Sequence, residues 1–186
     1  MAYSSKIDDQ AFDKYLKKTR DWKFLFAFII AAIAIIGFFA YGEFSDEMDN
    51  PEALQIGLVI GLMFIIIGSF SGKSGKYRRT WDGVVVDKKM KLTSKDIGYE
   101  GSRAERMVYI IYIKSDSGKM HEIRTEDDDT VYNYYDIGDK VRHHGKLNTF
   151  EKFDKSGDEI IFCNACAYLN DITEDYCINC GCPLLK

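Results

Sequence analysis

The residues best placed to do chemistry lie near the end of the chain. Cys163-Asn164-Ala165-Cys166 and Cys177-Ile178-Asn179-Cys180 are two C-x-x-C pairs separated by ten residues. Pairs this close can bring four thiolates to the corners of a tetrahedron, the arrangement a structural zinc ion takes. Four thiolates leave no open coordination position, so an ion held there supports a fold rather than a reaction. A fifth cysteine, Cys182, follows directly. It reads as a spare thiol beside the site, with a substitute ligand or a redox partner of Cys180 as alternatives. A thiol oxidoreductase built on C-x-x-C sits in a βαβ setting, which this segment lacks.

Other reactive residue types do not converge in sequence. The only histidines are His121, His143 and His144. Adjacent residues of an extended strand point to opposite faces, so His143 and His144 cannot share a pocket there. There is no G-x-S-x-G elbow, H-E-x-x-H helix or dinucleotide-binding glycine pattern. Asp127, Asp128 and Asp129 read as a solvated loop. Gly68-Ser69-Phe70-Ser71-Gly72-Lys73-Ser74 imitates a phosphate-binding loop, but it is one residue short and follows an apolar run instead of a strand. The chain is therefore read as not an enzyme, with an uncharacterised enzyme ranked last among the functions considered. Lys plus Arg total 25 against 29 Asp plus Glu, which disfavours nucleic acid, although a local patch at Lys140, Arg142 and Lys146 stands against that.

The cysteine segment repeats at a period of fourteen. Phe162 and Tyr176 each precede a C-x-x-C pair, which a small residue follows, Ala167 or Gly181. This pattern resembles the short zinc-ribbon family found at the termini of many bacterial proteins, often beside transmembrane segments. The resemblance covers about twenty-five residues, and it implies Cys163, Cys166, Cys177 and Cys180 as ligands of a structural Zn(2+). Glycine is usual after the second cysteine of each knuckle, where the turn favours φ > 0. Gly181 conforms and Ala167 departs, which predicts some strain in the first knuckle.

The elements that must carry this segment begin with two uncharged runs, Phe24 to Tyr41 and Ala53 to Phe70. Each is long enough for a short transmembrane helix and has no polar face. The first makes a poor signal peptide, because a charged segment of twenty-three residues precedes it. Lys6, Lys14, Lys17, Lys18, Arg20 and Lys23 lie before the first run, and Lys73, Lys76, Arg78 and Arg79 follow the second. Between them, residues 42–52 carry five acidic residues and no Lys or Arg. The positive-inside rule then puts both termini in the cytoplasm, where thiols stay reduced and available to a metal. No ionisable residue falls within either run, which argues against a transporter or channel. Gly57-x-x-x-Gly61 and Ala27-x-x-x-Ala31 suit close helix packing, within the hairpin or in a homo-oligomer through Gly57 and Gly61. Ser5-x-x-Asp8 reads as a capping box. The amphipathic stretch after it (Ile7, Ala11, Phe12, Tyr15, Leu16) fits a helix on the membrane, on the soluble domain, or continuous with the first span.

From Tyr77 to Phe162 the texture is β. Strands are expected at 81–86, 107–113, 120–125 and into Arg142, with a last hairpin from Asn148 to Phe162 around Asp154-Lys155-Ser156-Gly157. Residues 87–105 show no period and read as an insertion. Five or six short strands suit a small barrel or sandwich, and the arrangement resembles the OB-like β-barrels that follow membrane helices in several bacterial families. The expected fold class is a membrane-anchored α+β protein. It comprises an amphipathic segment (1–22), a two-helix transmembrane hairpin (23–71), a linker (72–76), a small all-β domain (77–162) and a zinc ribbon (163–186). The expected function is a cell-membrane, multi-pass binding or scaffold protein that meets the lipid bilayer and a protein partner. A membrane-tethered nucleic-acid-binding module is the alternative.

Overall fold

The computed structural model describes residues 3–71, 79–96 and 103–186. The linker at 72–76, most of the basic cluster after the second apolar run and the end of the phosphate-loop imitation lie outside these residues. The chain divides into two units, Met1–Ile7 with Arg79–Lys186, and Asp8–Arg78.

The helical unit holds α1 (Gln10–Phe44) and α2 (Glu52–Ser71). Both are long and apolar enough to cross a membrane. The Ser5 capping box does not start the helix. Ser5–Asp8 forms a 3-10 turn, and Asp9 caps α1 by accepting a hydrogen bond from the Ala11 N–H at 2.7 Å. An ionised carboxylate caps at least as well as serine and also meets the positive end of the helix dipole. No Gly or Pro occurs between Gln10 and Ile36, so nothing interrupts the helix where the amphipathic stretch meets the apolar run. α1 is therefore continuous through both. The small residues mediate its packing on α2. A Cβ added at Gly57 would lie 2.9 Å from the Phe38 Cβ, and one at Gly61 3.3 Å from the Ala31 carbonyl oxygen. Such spacing lets two backbones approach where dispersion, not water, drives association.

The β unit is built on an antiparallel sheet of β1 (Trp81–Asp96), β2 (Arg103–Ser115), β3 (Met120–Glu126), β4 (Lys140–His144) and β5 (Thr149–Lys152). The order is β3-β2-β1-β4-β5, and β3 does not pair with β5. The expected closed barrel is therefore not formed. Its core gathers Val85, Ile111, Ile113 and Val141 from one sheet face, with Tyr134 and Tyr135 laid over them. Each fully buried aliphatic side chain contributes about 1.5–3 kcal/mol. Tyr134 ends α3 (Thr130–Tyr134), a helix too short to show a period in the sequence. The turns fall where Gly118 and Gly138 allow φ of 84° and 99°. Gly83 has another role: a Cβ there would meet the Lys114 carbonyl oxygen at 2.7 Å.

Two expectations about the sheet are corrected. First, residues 87–96 and 103–105 are no insertion, since β1 and β2 pair from Gly83↔Ser115 to Asp96↔Arg103. The register shifts between Val85 and Asp87, so Val86 is an extra residue in the ladder. A bulge resets the inward–outward alternation, and that erased the period-2 signal. Beyond it Lys88 takes the core side, where its ammonium donates to the Tyr135 carbonyl at 2.6 Å and lies over the Tyr132 ring. Second, the 148–162 hairpin does not form. β5 pairs with β4, whereas β6 (Ile160–Phe162) pairs with β7 (Leu169–Asp171) in a separate two-stranded sheet. Ile160 and Phe162 of β6 pack against the core of the five-stranded sheet, and the Phe162 ring meets Tyr134 edge-on at 5.1 Å. The strand expected to close the β domain therefore begins the cysteine-bearing segment and anchors it.

Candidate metal centre

The two cysteine pairs fold as near copies of each other. In the first, the Ala167 N–H donates to the Cys163 carbonyl at 2.8 Å and the Cys163 N–H to the Tyr168 carbonyl at 2.9 Å. In the second, the Gly181 N–H donates to the Cys177 carbonyl at 2.9 Å and the Cys177 N–H to the Cys182 carbonyl at 2.8 Å. The fourteen-residue repeat is thus a repeat of backbone bonds. Ala167 and Gly181 close the two turns with φ of 58° and 71°. The expected departure at Ala167 falls on a left-handed residue, a conformation that costs a Cβ-bearing residue about 1–2 kcal/mol.

These turns bring the Sγ atoms of Cys163, Cys166, Cys177 and Cys180 within 4.8 Å of one another. Cys163 and Cys180 are 3.6 Å apart across the pairs, as are Cys166 and Cys177. Zn–S bonds of about 2.3 Å require tetrahedron edges of about 3.8 Å, so the spacing fits a four-thiolate ion. Donors surround the sulfurs as well. The Ala165 N–H points at Cys163 Sγ from 3.4 Å, and the Asn179 amide at Cys166 Sγ from 3.6 Å. Burial pushes the Cys163 and Cys166 thiols up. Burial also opposes ionisation of Cys177, but the Cys180 and Asn179 backbone N–H groups outweigh it and bring that thiol down to about 7. Four such thiols, drawn together with donors aimed at them, could hold a metal ion such as zinc. Cys182 is buried, its carbonyl does the work that Tyr168 does in the first knuckle, and its thiol lies outside the cluster of four.

The centre is tied to the sheet by polar bonds as well as by Phe162. The Asn164 side-chain amide donates to the Phe150 carbonyl at 3.1 Å, and the Thr149 hydroxyl donates to the Asn164 carbonyl at 3.1 Å. Leu184 and Leu185 are fully buried, while Tyr168 and Tyr176 are 45% and 62% exposed. Phe162 and Leu184 are thus turned inward and the two tyrosines outward.

Other polar residues singled out in the sequence have structural partners. His143 and His144 diverge, as strand alternation requires. The His143 ring stacks on Trp81, with centroids 5.2 Å apart, and bonds Asn148. His144 meets Glu151 at 2.6 Å in a buried pair. Glu151 also accepts from Lys155 and from the Ser4 N–H, each at 2.8 Å. Burial would raise the Glu151 carboxyl, but these three donors hold it below its usual range. His121 stacks on the Trp81 ring at 4.1 Å, and burial lowers its pKa. The acidic run is turn chemistry: Asp127 accepts from the Met107 N–H at 3.0 Å and Asp128 from the Thr130 N–H at 2.9 Å. In the basic patch, Arg142 is engaged by both Asp82 oxygens, at 2.6 and 2.8 Å. One signal missed in the sequence is Lys152. Its side chain is 9% exposed, and its ammonium lies 2.8 Å from Asp158 and 3.5 Å from Asp139; Lys152 and Asp158 line a cavity of about 480 Å³. The chain matches no protein-family model, no curated protein and no solved structure.

Proposed function

We propose that this chain is a non-enzymatic binding or scaffold protein anchored at the cytoplasmic face of a membrane, whose terminal zinc ribbon engages a protein partner. The closed cluster of four thiols carries the reading. A tetrathiolate site has no position for substrate or water, so its ion shapes a surface. A segment as small as residues 160–186 gains from metal the folding energy that its few apolar contacts cannot supply. The thiols also need a reducing compartment. The charge asymmetry of the loops assigns the same compartment, with two spans and both termini inside. The five-stranded sheet, open between β3 and β5, suits a partly open OB-like barrel. Such folds also bind nucleic acid, but the engagement of Arg142 by Asp82 weakens the one basic patch that would favour it.

The test has two arms. Cysteines introduced at Asp46 and Ser156, both exposed, in a cysteine-free background should react differently with an impermeant maleimide, the first in intact cells and the second only after lysis. Labelling at 156 from outside overturns the orientation. Zinc-loaded full chain should retain its partner in affinity capture, and Cys177→Ser should lose it while still fractionating with membranes. Unimpaired capture by that variant moves the binding surface away from the ribbon.

A further inference from the structure

The outward face of the ribbon combines two properties that single out one class of partner. Tyr176 and Ile178, on either side of Cys177, are 62% and 69% exposed. The Ile178 N–H donates to the Asn170 side-chain carbonyl at 3.0 Å, which ties the second knuckle to β7. An apolar group flanked by tyrosine is the composition of a protein-binding hot spot, not of a solvated loop. The surrounding charge is mostly acidic. From Gly157 to Leu185 there is no Lys, Arg or His, whereas Asp171, Glu174 and Asp175 are exposed. Two cations stand near Asp175: Lys6, and Lys186, which donates to Asp175 at 3.1 Å and to the Thr173 carbonyl at 2.9 Å. Four thiolates around a divalent ion leave two further negative charges behind the same face.

We propose that this face docks a cationic protein segment with an apolar side, such as a lysine- or arginine-rich amphipathic helix. The inference rests on the reading of the ribbon as the interaction module and names the chemistry of what it binds. Tyr176 and Ile178 cover the partner's apolar side, while Glu174 and its neighbours meet the cations at the rim. Rim charges of this kind raise the association rate and make it salt-dependent. The same charges repel phosphate backbones and anionic lipid, so both should fail on this surface.

The zinc-loaded full chain in zwitterionic nanodiscs is titrated by fluorescence anisotropy with four probes. These are an amphipathic Leu/Lys helical peptide, its Leu/Glu counterpart, a Lys/Gln peptide without an apolar side, and a single-stranded oligonucleotide. The Leu/Lys peptide should bind, several-fold more weakly at high salt, and the other three at least about tenfold more weakly still. Ile178→Ser and Glu174→Lys should each weaken that binding about tenfold with zinc content unchanged. Equal binding of the Leu/Glu peptide or the oligonucleotide, or indifference to both substitutions, overturns the inference. The underlying reading fails separately, if partner capture in cells survives Cys177→Ser. Lost capture together with no peptide binding would sink only the cationic partner.

Discussion

Exchanging the residues that close the two knuckles isolates one backbone term. Ala167 and Gly181 occupy equivalent turns at φ 58° and 71°. A Cβ added at Gly181 meets nothing within 4 Å, so Gly181→Ala introduces no clash and its cost is conformational. The left-handed region costs a Cβ-bearing residue about 1–2 kcal/mol, and the smaller unfolded-state entropy of alanine returns about 0.4–1 kcal/mol. The net is about 1 kcal/mol lost in Gly181→Ala, and the same amount gained in Ala167→Gly, where the residue is exposed. If metal binding and folding of the ribbon are one event, each kcal/mol appears in zinc affinity as a factor of about five. Competition of the full chain against a chromophoric chelator should therefore show tighter zinc in Ala167→Gly and weaker zinc in Gly181→Ala. The double exchange should lie near the starting value, since each substitution changes only the backbone strain of its own turn. A loss of affinity in Ala167→Gly, or no change in either single variant, would refute the argument that these residues limit the site through φ.

Purified protein should hold one zinc per chain, and Cys166→Ser or Cys177→Ser should lower that sharply by elemental analysis while Cys182→Ser leaves it nearly intact. Zinc loss from Cys182→Ser alone would show that the set of four is wrong. Chelation should raise amide exchange across residues 163–182 while β1, β2 and β4 stay protected, because Val85, Ile111, Ile113 and Val141 form a core without the metal; global unfolding would make the ribbon a clamp on the whole domain. The Glu151 carboxyl, held below its ordinary value near 4.5, should stabilise the fold above that pH and lose the contribution as pH falls through the lower folded value. Denaturant titrations at stepped pH should show this acid limb flattened in Glu151→Gln, and Glu151→Ala should cost about 3–5 kcal/mol at neutral pH by leaving His144 and Lys155 without their acceptor. An unchanged acid limb in Glu151→Gln would assign that limb to other carboxylates.

What the sequence by itself determined is what depends on near neighbours. The C-x-x-C pairs and their fourteen-residue period set the knuckle turns, because each turn is closed by bonds within six residues. Uncharged runs of eighteen residues make apolar helices whatever surrounds them, and the turns at Gly118 and Gly138 follow from what only glycine tolerates cheaply. The tertiary structure decided what depends on partners distant in the chain. Nothing local in Glu159 to Phe162 says whether that strand closes a hairpin with Asn148 or opens a sheet with Leu169; Phe162 is placed by the ring of Tyr134 and by the core beneath it. β1 pairs with β4 over Trp81–Val84 and with β2 from Gly83 to Asp96, and the bulge at Val86 falls just past the end of the β4 pairing, a division no period-2 pattern records. The network of His144, Glu151, Lys155 and Ser4, buried at His144 and Glu151, joins residues up to 147 positions apart. Charged groups remain inside only where folding brings their partners together, so that network is written in three dimensions and not in spacing.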